Sequence, residues 1–340
     1  MRSQIRIAVA GLLLIFSTLA CVTLMGEELP NPVIPDTPAA QEPTIEEPVL
    51  EEAASCPLIT DRIISLAVSG GADVEEDLLD EEVILVTYKV AGDEIFDPHY
   101  EDVSSDLEDE QNDEQTHQQV WNYFRTIIPA GERERVSEYS IITDGQGGTL
   151  AAVAQTQSDP NLWVLQVDIA DTGNYYDLFY TLVHEFGHLL TLGPDQVAPS
   201  LAVFNNLDDD RVYFEEASAC PDYFPGEGCA DPDSYLNQFY NQFWADIHEE
   251  WNQINLEEDS DTYYEKLDEF YYKYEDRFVT NYAATNPEED IAEAFAFFVI
   301  STAPEGDTIA EEKVLFFYQY PELVKLRIDI LNNICISFPQ

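Results

Sequence analysis

Runs of apolar and polar residues along the chain predict a small sheet followed by helices. Residues 82–90 are rich in β-branched side chains and predict a strand, whereas the apolar positions in residues 114–128 have helical spacing. Residues 136–143, 150–156 and 162–170 predict further strands, separated by Gly-rich and Asp-Pro turns. The pattern therefore predicts an α+β protein.

Two later segments predict helices that are buried on most sides. Residues 178–192 are mostly Leu, Val and Phe, interrupted by His184, Glu185 and His188. Residues 286–298 are mostly Ala, Ile and Phe, but they include acids one helical turn apart at positions 289 and 293. Ionisable side chains are costly to bury alone, so these polar residues need partners.

The N-terminal segment has the pattern of an export signal. A basic start, an apolar run over residues 7–19 and a small residue precede Cys21, and the run is too short for a comfortable membrane span. Residues 19–21 also resemble the lipobox of bacterial lipoproteins. We predict that residues 1–21 are a signal peptide and lipobox, with Cys21 as a lipid anchor at the cell surface. An uncleaved anchor and ordinary secretion are the alternatives.

The rest of the chain divides by composition. Residues 22–55 are rich in Pro and Glu and predict a disordered tether, because they cannot bury enough apolar surface to fold. Residues 56–340 are predicted to form one domain, since nothing inside them resembles a second linker. Its sheet and first buried helix would occupy residues 56–195, and a mainly helical part would occupy residues 196–340.

Charge and cysteine content narrow the function classes. The 68 acidic and 14 basic residues give a net charge of −54, so we expect no nucleic acid as partner. Adaptation to high salt or low pH is another explanation of this bias.

Cysteines in an exported chain predict disulfides. The predicted pairs are Cys220–Cys229, which bracket a Pro-Gly-rich loop, and Cys56–Cys335.

His184, Glu185 and His188 form an H-E-x-x-H motif. On a helix the two imidazoles project from one face and can bind a single Zn²⁺, while Glu185 is left to act on a metal-bound water. Two core histidines satisfied by ordinary hydrogen bonds are the alternative. The metzincin extension is excluded, because Thr191 and Pro194 stand where Gly and His are required.

A third ligand is needed, and Glu289 is the predicted one. Glu293, one turn further on, would then accept a hydrogen bond from a ligand imidazole and orient it. The alternative is that Glu289 completes a capping box with Asn286, which would leave it without a metal. Glu215 or Glu216, closer to His188 in sequence, is the rival ligand. The remaining histidines are His99, His117 and His248, and the segment around His248 is explained equally well as an amphipathic helix.

These motifs resemble those of the gluzincin metallopeptidases, and above all the catalytic domain of the anthrax lethal factor family. The resemblance rests on H-E-F-G-H at residues 184–188 and on T-N-x-x-E-x-x-A-E-A-F at residues 285–295. It implies Zn²⁺ on His184, His188 and Glu289, and a transition-state role for Tyr282, for which ordinary core packing is the alternative. It also implies a zincin-like fold, in which an edge strand takes the substrate backbone. Residues 150–156 or 162–170 would be that strand.

The sequence therefore predicts an extracytoplasmic zinc endopeptidase acting on a peptide or protein substrate. Glu185 would take a proton from the metal-activated water and pass it to the leaving amine. The alternative is a lipid-anchored binding protein with a structural or vestigial zinc site, whose recognition surface would include the aromatic residues 235–244. Packing of those aromatics between helices is the simpler expectation.

Overall fold

The computed structural model describes residues 63–64, 77–257 and 259–337. The predicted signal and lipobox (1–21), the predicted tether (22–55) and Cys56 lie outside these residues. Cys335 is disulfide-bonded, and Cys220 and Cys229 form the predicted local disulfide with their Cα atoms 5.5 Å apart. This disulfide fits an extracytoplasmic protein, because disulfides persist in oxidising compartments.

The main sheet is mixed and has five strands in the order β2-β1-β3-β5-β4. Strands β3 and β5 run parallel, and the other neighbours are antiparallel. The strands are β1 (Asp77–Ala91), β2 (Glu94–Tyr100), β3 (Val136–Gln146), β4 (Ala151–Gln155) and β5 (Trp163–Asp168). β4 lies at one edge, so residues 150–156 contain the edge strand, whereas residues 162–170 contain an inner strand.

Strand β2 forms the other edge and was not predicted. Gly92 adopts a positive φ of 61° in the tight turn that joins β1 to β2, a conformation that costs glycine little. β2 is exposed along most of its length. A strand that buries so little does not alternate between apolar and polar residues, which explains why the sequence pattern does not reveal it.

The remainder of the described chain is mainly helical. A short second sheet pairs β6 (Val197–Pro199) with β7 (Gly228–Ala230). The helices are α1 (Glu108–Gln111), α2 (Glu114–Ile127), α3 (Tyr175–Thr191), α4 (Leu201–Phe204), α5 (Asp210–Ala219), α6 (Tyr235–Phe243), α7 (His248–Asn255), α8 (Ser260–Lys273), α9 (Pro287–Ile300), α10 (Ile309–Phe316) and α11 (Pro321–Ser337). The predicted α+β class, with a small mixed sheet and a helical C-terminal part, is confirmed.

Within the described ranges, no helix combines the length and apolar character needed to cross a membrane.

Helices α3 and α9, the two buried helices of the sequence pattern, pack against each other and share one core with the sheet. α3 also contacts the edge strand β4. The aromatic residues of α6 and α8 contribute to the same core, where Phe239, Phe243 and Phe270 are buried. The simpler expectation for the aromatic segment is therefore confirmed at these positions.

A buried ion pair fixes α10 to the first turn of α9. Lys313 and Asp290 are both fully buried, with Nζ and Oδ2 2.5 Å apart. Trp244 Nε1 donates to the same carboxylate at 2.6 Å, and the Lys313 ammonium lies 4.2 Å from the ring centroid of Phe278. The pair thus connects α10 to the helix end that carries Glu289.

Replacing Lys313 with Met is expected to lower the free energy of unfolding by about 3–5 kcal/mol, because it leaves the Asp290 carboxylate buried and unpaired. The double variant Lys313→Met/Asp290→Leu should recover most of the loss, since removing both charges of a buried pair is often neutral. Urea unfolding followed by circular dichroism measures both. A single variant as stable as the wild type would show that the pair contributes nothing to stability.

Candidate metal centre

Helix α3 presents His184 and His188 one turn apart on the same face. The helix begins after Asn174, whose side chain accepts a hydrogen bond from the Tyr176 N–H, and it runs unbroken to Thr191. Both histidines are buried, and their Nε2 atoms lie 3.1 Å apart. The two imidazoles therefore converge on a single point, as the spacing predicts.

Glu289 completes the cluster from the first turn of α9. Its Oε2 lies 3.0 Å from Nε2 of His184 and 3.3 Å from Nε2 of His188. Asn286 does cap the helix, because its side chain accepts from the Glu289 N–H at 2.7 Å. The capping interpretation is thus right for the backbone of Glu289, while its carboxylate is directed at the two histidines.

The three atoms fit a metal ion. Their separations of 3.0, 3.1 and 3.3 Å approach the edge of a tetrahedron, which is roughly 3.3 Å for metal–ligand bonds of about 2.0 Å. Two imidazole nitrogens and a carboxylate oxygen are also a common donor set for a transition metal. The buried cluster of His184, His188 and Glu289 can therefore hold a metal ion.

Glu293 lies behind the cluster, where the sequence analysis expects it. Its Oε1 is 2.8 Å from Nδ1 of His184 and accepts a hydrogen bond of 2.8 Å from the Tyr180 hydroxyl. A carboxylate at this nitrogen orients the ring and makes the opposite nitrogen a better ligand. The contact at Nδ1 of His184 is an ion-pair contact, and within the described chain neither this atom nor Nδ1 of His188 makes a hydrogen bond of good geometry.

The electrostatics of the cluster are dominated by these pairings. Burial alone would lower the pKa of His184, but the neighbouring Glu289 and Glu293 carboxylates raise it well above its ordinary value. Burial opposes the ionisation of Glu289, yet His188 and His184 hold the pKa of that carboxyl well below its usual range. Without a metal, the cluster therefore favours an ionised Glu289 beside protonated histidines, and a bound cation would take the place of the histidine protons.

Glu185 lies beside the cluster without belonging to it. Burial raises the pKa of this carboxyl to about 7, a shift opposed by the His184 and His188 charges and by the nearby Val153 backbone. Val153 lies in the edge strand β4, so the carboxylate is close to both the strand and the cluster. A carboxyl group with a pKa near neutrality is well matched to accepting and returning a proton.

Tyr282 stands over the cluster in a short 3₁₀ turn, Tyr282–Ala284. Its ring centroid lies 5.9 Å from that of His184. Desolvation of the hydroxyl and the charges of Glu289 and Glu185 raise its pKa well above the usual value, so it stays protonated and can donate a hydrogen bond. The residue as a whole is 52% exposed, which excludes ordinary core packing as its role.

The other histidines and the rival acids lie elsewhere. His117 is buried beside the Tyr88 hydroxyl, and Nδ1 of His248 is 2.9 Å from the Tyr240 hydroxyl. Glu216 accepts a hydrogen bond from Ser200. Of the candidate ligands, the structure brings His184, His188 and Glu289 together, but it does not bring Glu215, Glu216 or His99 to them.

Sequence reasoning missed several residues around the cluster. Tyr180 lies one turn before His184 on α3, so helical spacing could have revealed it. Glu288 accepts from the Tyr223 hydroxyl at 2.9 Å, and burial together with the Glu227 charge raises its pKa to about 8. Glu227 acts electrostatically on His188. The disulfide-closed loop 220–229 carries Tyr223 and Glu227, and no local pattern predicts that this loop packs here.

A second acidic group lies where the loops after β3 and β5 meet. Asp144, Asp168 and Asp171 have carboxylate oxygens close together. Asp168 is buried and accepts from the Asp144 N–H at 2.6 Å and from the Ala170 N–H at 2.7 Å. Asp171 accepts from the Gly147 N–H at 3.1 Å. These bonds connect the two loops, and this structural role explains the position of the three acids without a bound metal.

Gly187, between the ligand histidines, allows α3 and α9 to approach closely. A Cβ at this position would lie 3.1 Å from the Cα of Ala292 and 3.4 Å from Phe295. A Cβ at residue 187 would therefore push the helix that carries Glu289 away from the histidine helix by a few tenths of an ångström.

Replacing Gly187 with Ala should weaken metal binding about 10-fold or more, because the displaced α9 carries both Glu289 and Glu293, and changes in outer contacts alone typically cost about 10–100-fold. The gain in helix propensity, about 1 kcal/mol, partly offsets the steric cost to stability. Competition with a chelating dye measures the affinity. Gly131→Ala is the control, since a Cβ there meets nothing within 4 Å. Equal affinities in the two variants would contradict the role of Gly187.

The fold and the geometry together define a buried centre of two histidines and one carboxylate with a further glutamate beside it. The chain matches no protein-family model, no curated protein and no solved structure. The function is therefore argued from the site itself.

Proposed function

We propose that this protein is an extracytoplasmic zinc endopeptidase with a gluzincin-type site on a zincin-like fold. The observation that carries the proposal is the triangle formed by His184, His188 and Glu289, with Glu185 next to it but outside it. A purely structural metal site has no use for an additional acid poised at the metal. A hydrolytic site requires one.

Zinc is the metal that we assign to the cluster. The ligands would be His184, His188 and Glu289, a set of three protein donors that leaves one tetrahedral position open. Bound there, zinc would lower the pKa of a water to about 7 and polarise the carbonyl of the substrate.

The chain's own residues supply the proton transfers and part of the charge stabilisation. Glu185, which lies close to the Val153 backbone, would accept a proton from the attacking water and return it to the leaving amine. Tyr282 would donate a hydrogen bond to the oxygen that becomes negatively charged. Glu293 would keep the His184 ring in place throughout.

The edge strand β4 supports a peptide as substrate. Among the strands that the structure describes, none pairs with its outer side, and β4 lies against the histidine helix. An extended peptide can add to such an edge through main-chain hydrogen bonds, which places a peptide bond beside Glu185 regardless of the side chains. The net charge of −54 would favour cationic peptides at low salt by long-range attraction.

The proposal includes an extracytoplasmic location with a lipid anchor at Cys21. The Cys220–Cys229 disulfide supports export, while the anchor rests on the lipobox resemblance alone. Membrane attachment would then be limited to the N-terminus.

The test is digestion of a mixed peptide library by the purified protein, analysed by mass spectrometry. Cleavage should disappear with a zinc chelator and return when zinc is added back. The products would also report the side-chain preference. One bound zinc per chain without cleavage of any library peptide, or of proteins from the cell surface, would contradict the peptidase proposal and favour a binding protein.

A further inference from the structure

The Glu293 carboxylate is held at both of its oxygens. Oε1 lies 2.8 Å from His184 Nδ1 and accepts from the Tyr180 hydroxyl at 2.8 Å. Oε2 accepts from the Thr280 hydroxyl at 2.5 Å. Glu293 is only 3% exposed, so protein groups rather than solvent determine how this carboxylate is turned.

Thr280 makes a second contact with the same hydroxyl. Its Oγ1 accepts from the Ala283 N–H at 3.1 Å and so begins the 3₁₀ turn Tyr282–Ala284. A hydroxyl has one proton to donate and lone pairs to accept with. Because Ala283 supplies its own proton, the Thr280 proton is free for Glu293, and the two bonds support each other.

One buried hydroxyl thus lies between two parts of the site. On one side it fixes Glu293, which contacts the ligand His184. On the other side it fixes the turn that places Tyr282 beside Glu289 and 5.9 Å from the His184 ring. Valine has the shape of threonine but can make neither bond, whereas serine can make both.

We propose that Thr280 is a positioning residue that sets the orientation of the ligand His184 through Glu293 and the position of Tyr282 through the turn. The part that concerns turnover rests on the peptidase function proposed above. The part that concerns metal affinity and the turn does not, because it follows from hydrogen bonds that exist whatever the protein does.

The experiment compares Thr280→Val and Thr280→Ser with the wild type in the full chain. Zinc affinity is measured by competition with a chelating dye, and the turn is measured by amide hydrogen exchange at Ala283. Thr280→Val should bind zinc about 10–100-fold more weakly, the usual effect of losing an outer-shell partner, and its Ala283 amide should exchange faster. Thr280→Ser should restore both properties to near the wild-type values.

Two further variants separate positioning from general stability. Tyr180→Phe removes a donor to the same carboxylate but leaves the turn intact, so it should weaken zinc binding without faster exchange at Ala283. Thr308→Val removes the hydroxyl that caps α10, away from the site, and should leave zinc affinity unchanged despite some loss of stability. If Thr280→Val fails to fold, Thr280→Ala takes its place beside the serine variant.

In the active enzyme a double-mutant cycle tests the coupling to Tyr282. At saturating zinc, Tyr282→Phe should reduce kcat less in the Thr280→Val background than in the wild type, because its hydroxyl is already misplaced there. KM should change little. Wild-type zinc affinity and Ala283 exchange in Thr280→Val, or a serine variant that behaves like valine, would overturn the proposal. Absence of any cleavage by the wild type would refute the peptidase function but leave both of these readouts decisive for Thr280.

Discussion

Glu185→Gln is expected to lower kcat/KM for peptide cleavage by about 10²- to 10⁴-fold, the usual contribution of a general base. The amide is nearly the same size as the carboxylate, but it cannot accept the proton of the attacking water. Steady-state cleavage of the best library peptide measures the change. Zinc content should stay at the wild-type level, because Glu185 is not one of the three converging donors.

The matched control is Glu215→Gln, a change of the same chemistry in α5 at a position outside the cluster. It should cleave peptides like the wild type. Glu185→Gln with wild-type activity, or an equal loss in both variants, would show that Glu185 is not the base.

Glu289→Gln is expected to weaken zinc binding by more than about 100-fold, because losing a neighbour of a ligand already costs about 10–100-fold and here the anionic ligand itself is lost. The effect should also appear in stability. A metal that binds only the folded state stabilises it by about 2.7 kcal/mol at a free concentration of 100 times Kd. Zinc should therefore raise the melting temperature of the wild type but not that of Glu289→Gln.

Glu293→Gln provides an intermediate case for the same measurement. It keeps all three ligands and disturbs the contacts of the carboxylate with His184 Nδ1 and with the Tyr180 and Thr280 hydroxyls, so its loss of affinity should be smaller than that of Glu289→Gln. If Glu289→Gln kept its affinity while Glu215→Gln lost it, the third ligand would be the rival acid instead.

Local sequence patterns were sufficient for the parts of the site that lie within single elements. The apolar surroundings of His184 and His188 predicted a buried helix, and that helix is α3. Glu289 and Glu293 were predictable on energetic grounds, because two acids on a buried helix need partners. The partners are the two imidazoles and a pair of hydroxyls. In the fold, the strands with clear apolar patterns were also found, with their ends shifted by a few residues.

Such local patterns do not predict contacts between segments that are distant in the sequence. The exposed edge strand β2 gives no alternating signal, and nothing local distinguishes edge strand β4 from inner strand β5. The contact of Thr280 with Glu293 joins a loop to a helix, and threonine is too common in loops to be singled out. Capping rules have a different limit. They correctly predicted the bond between the Asn286 side chain and the Glu289 backbone, but they do not determine where the Glu289 carboxylate points.

The close contact between His184 and Glu289 joins residues that are 105 positions apart in sequence. Both histidines are made well before Glu289, so a chain that has emerged only as far as the turn before α9 contains two of the three ligands but lacks the third. Closing so long a loop is entropically costly, and a metal that bridges it offsets part of that cost. Acquisition of the metal would therefore mark the completion of folding, and under the proposed peptidase function unfinished or truncated copies would be inert toward neighbouring proteins.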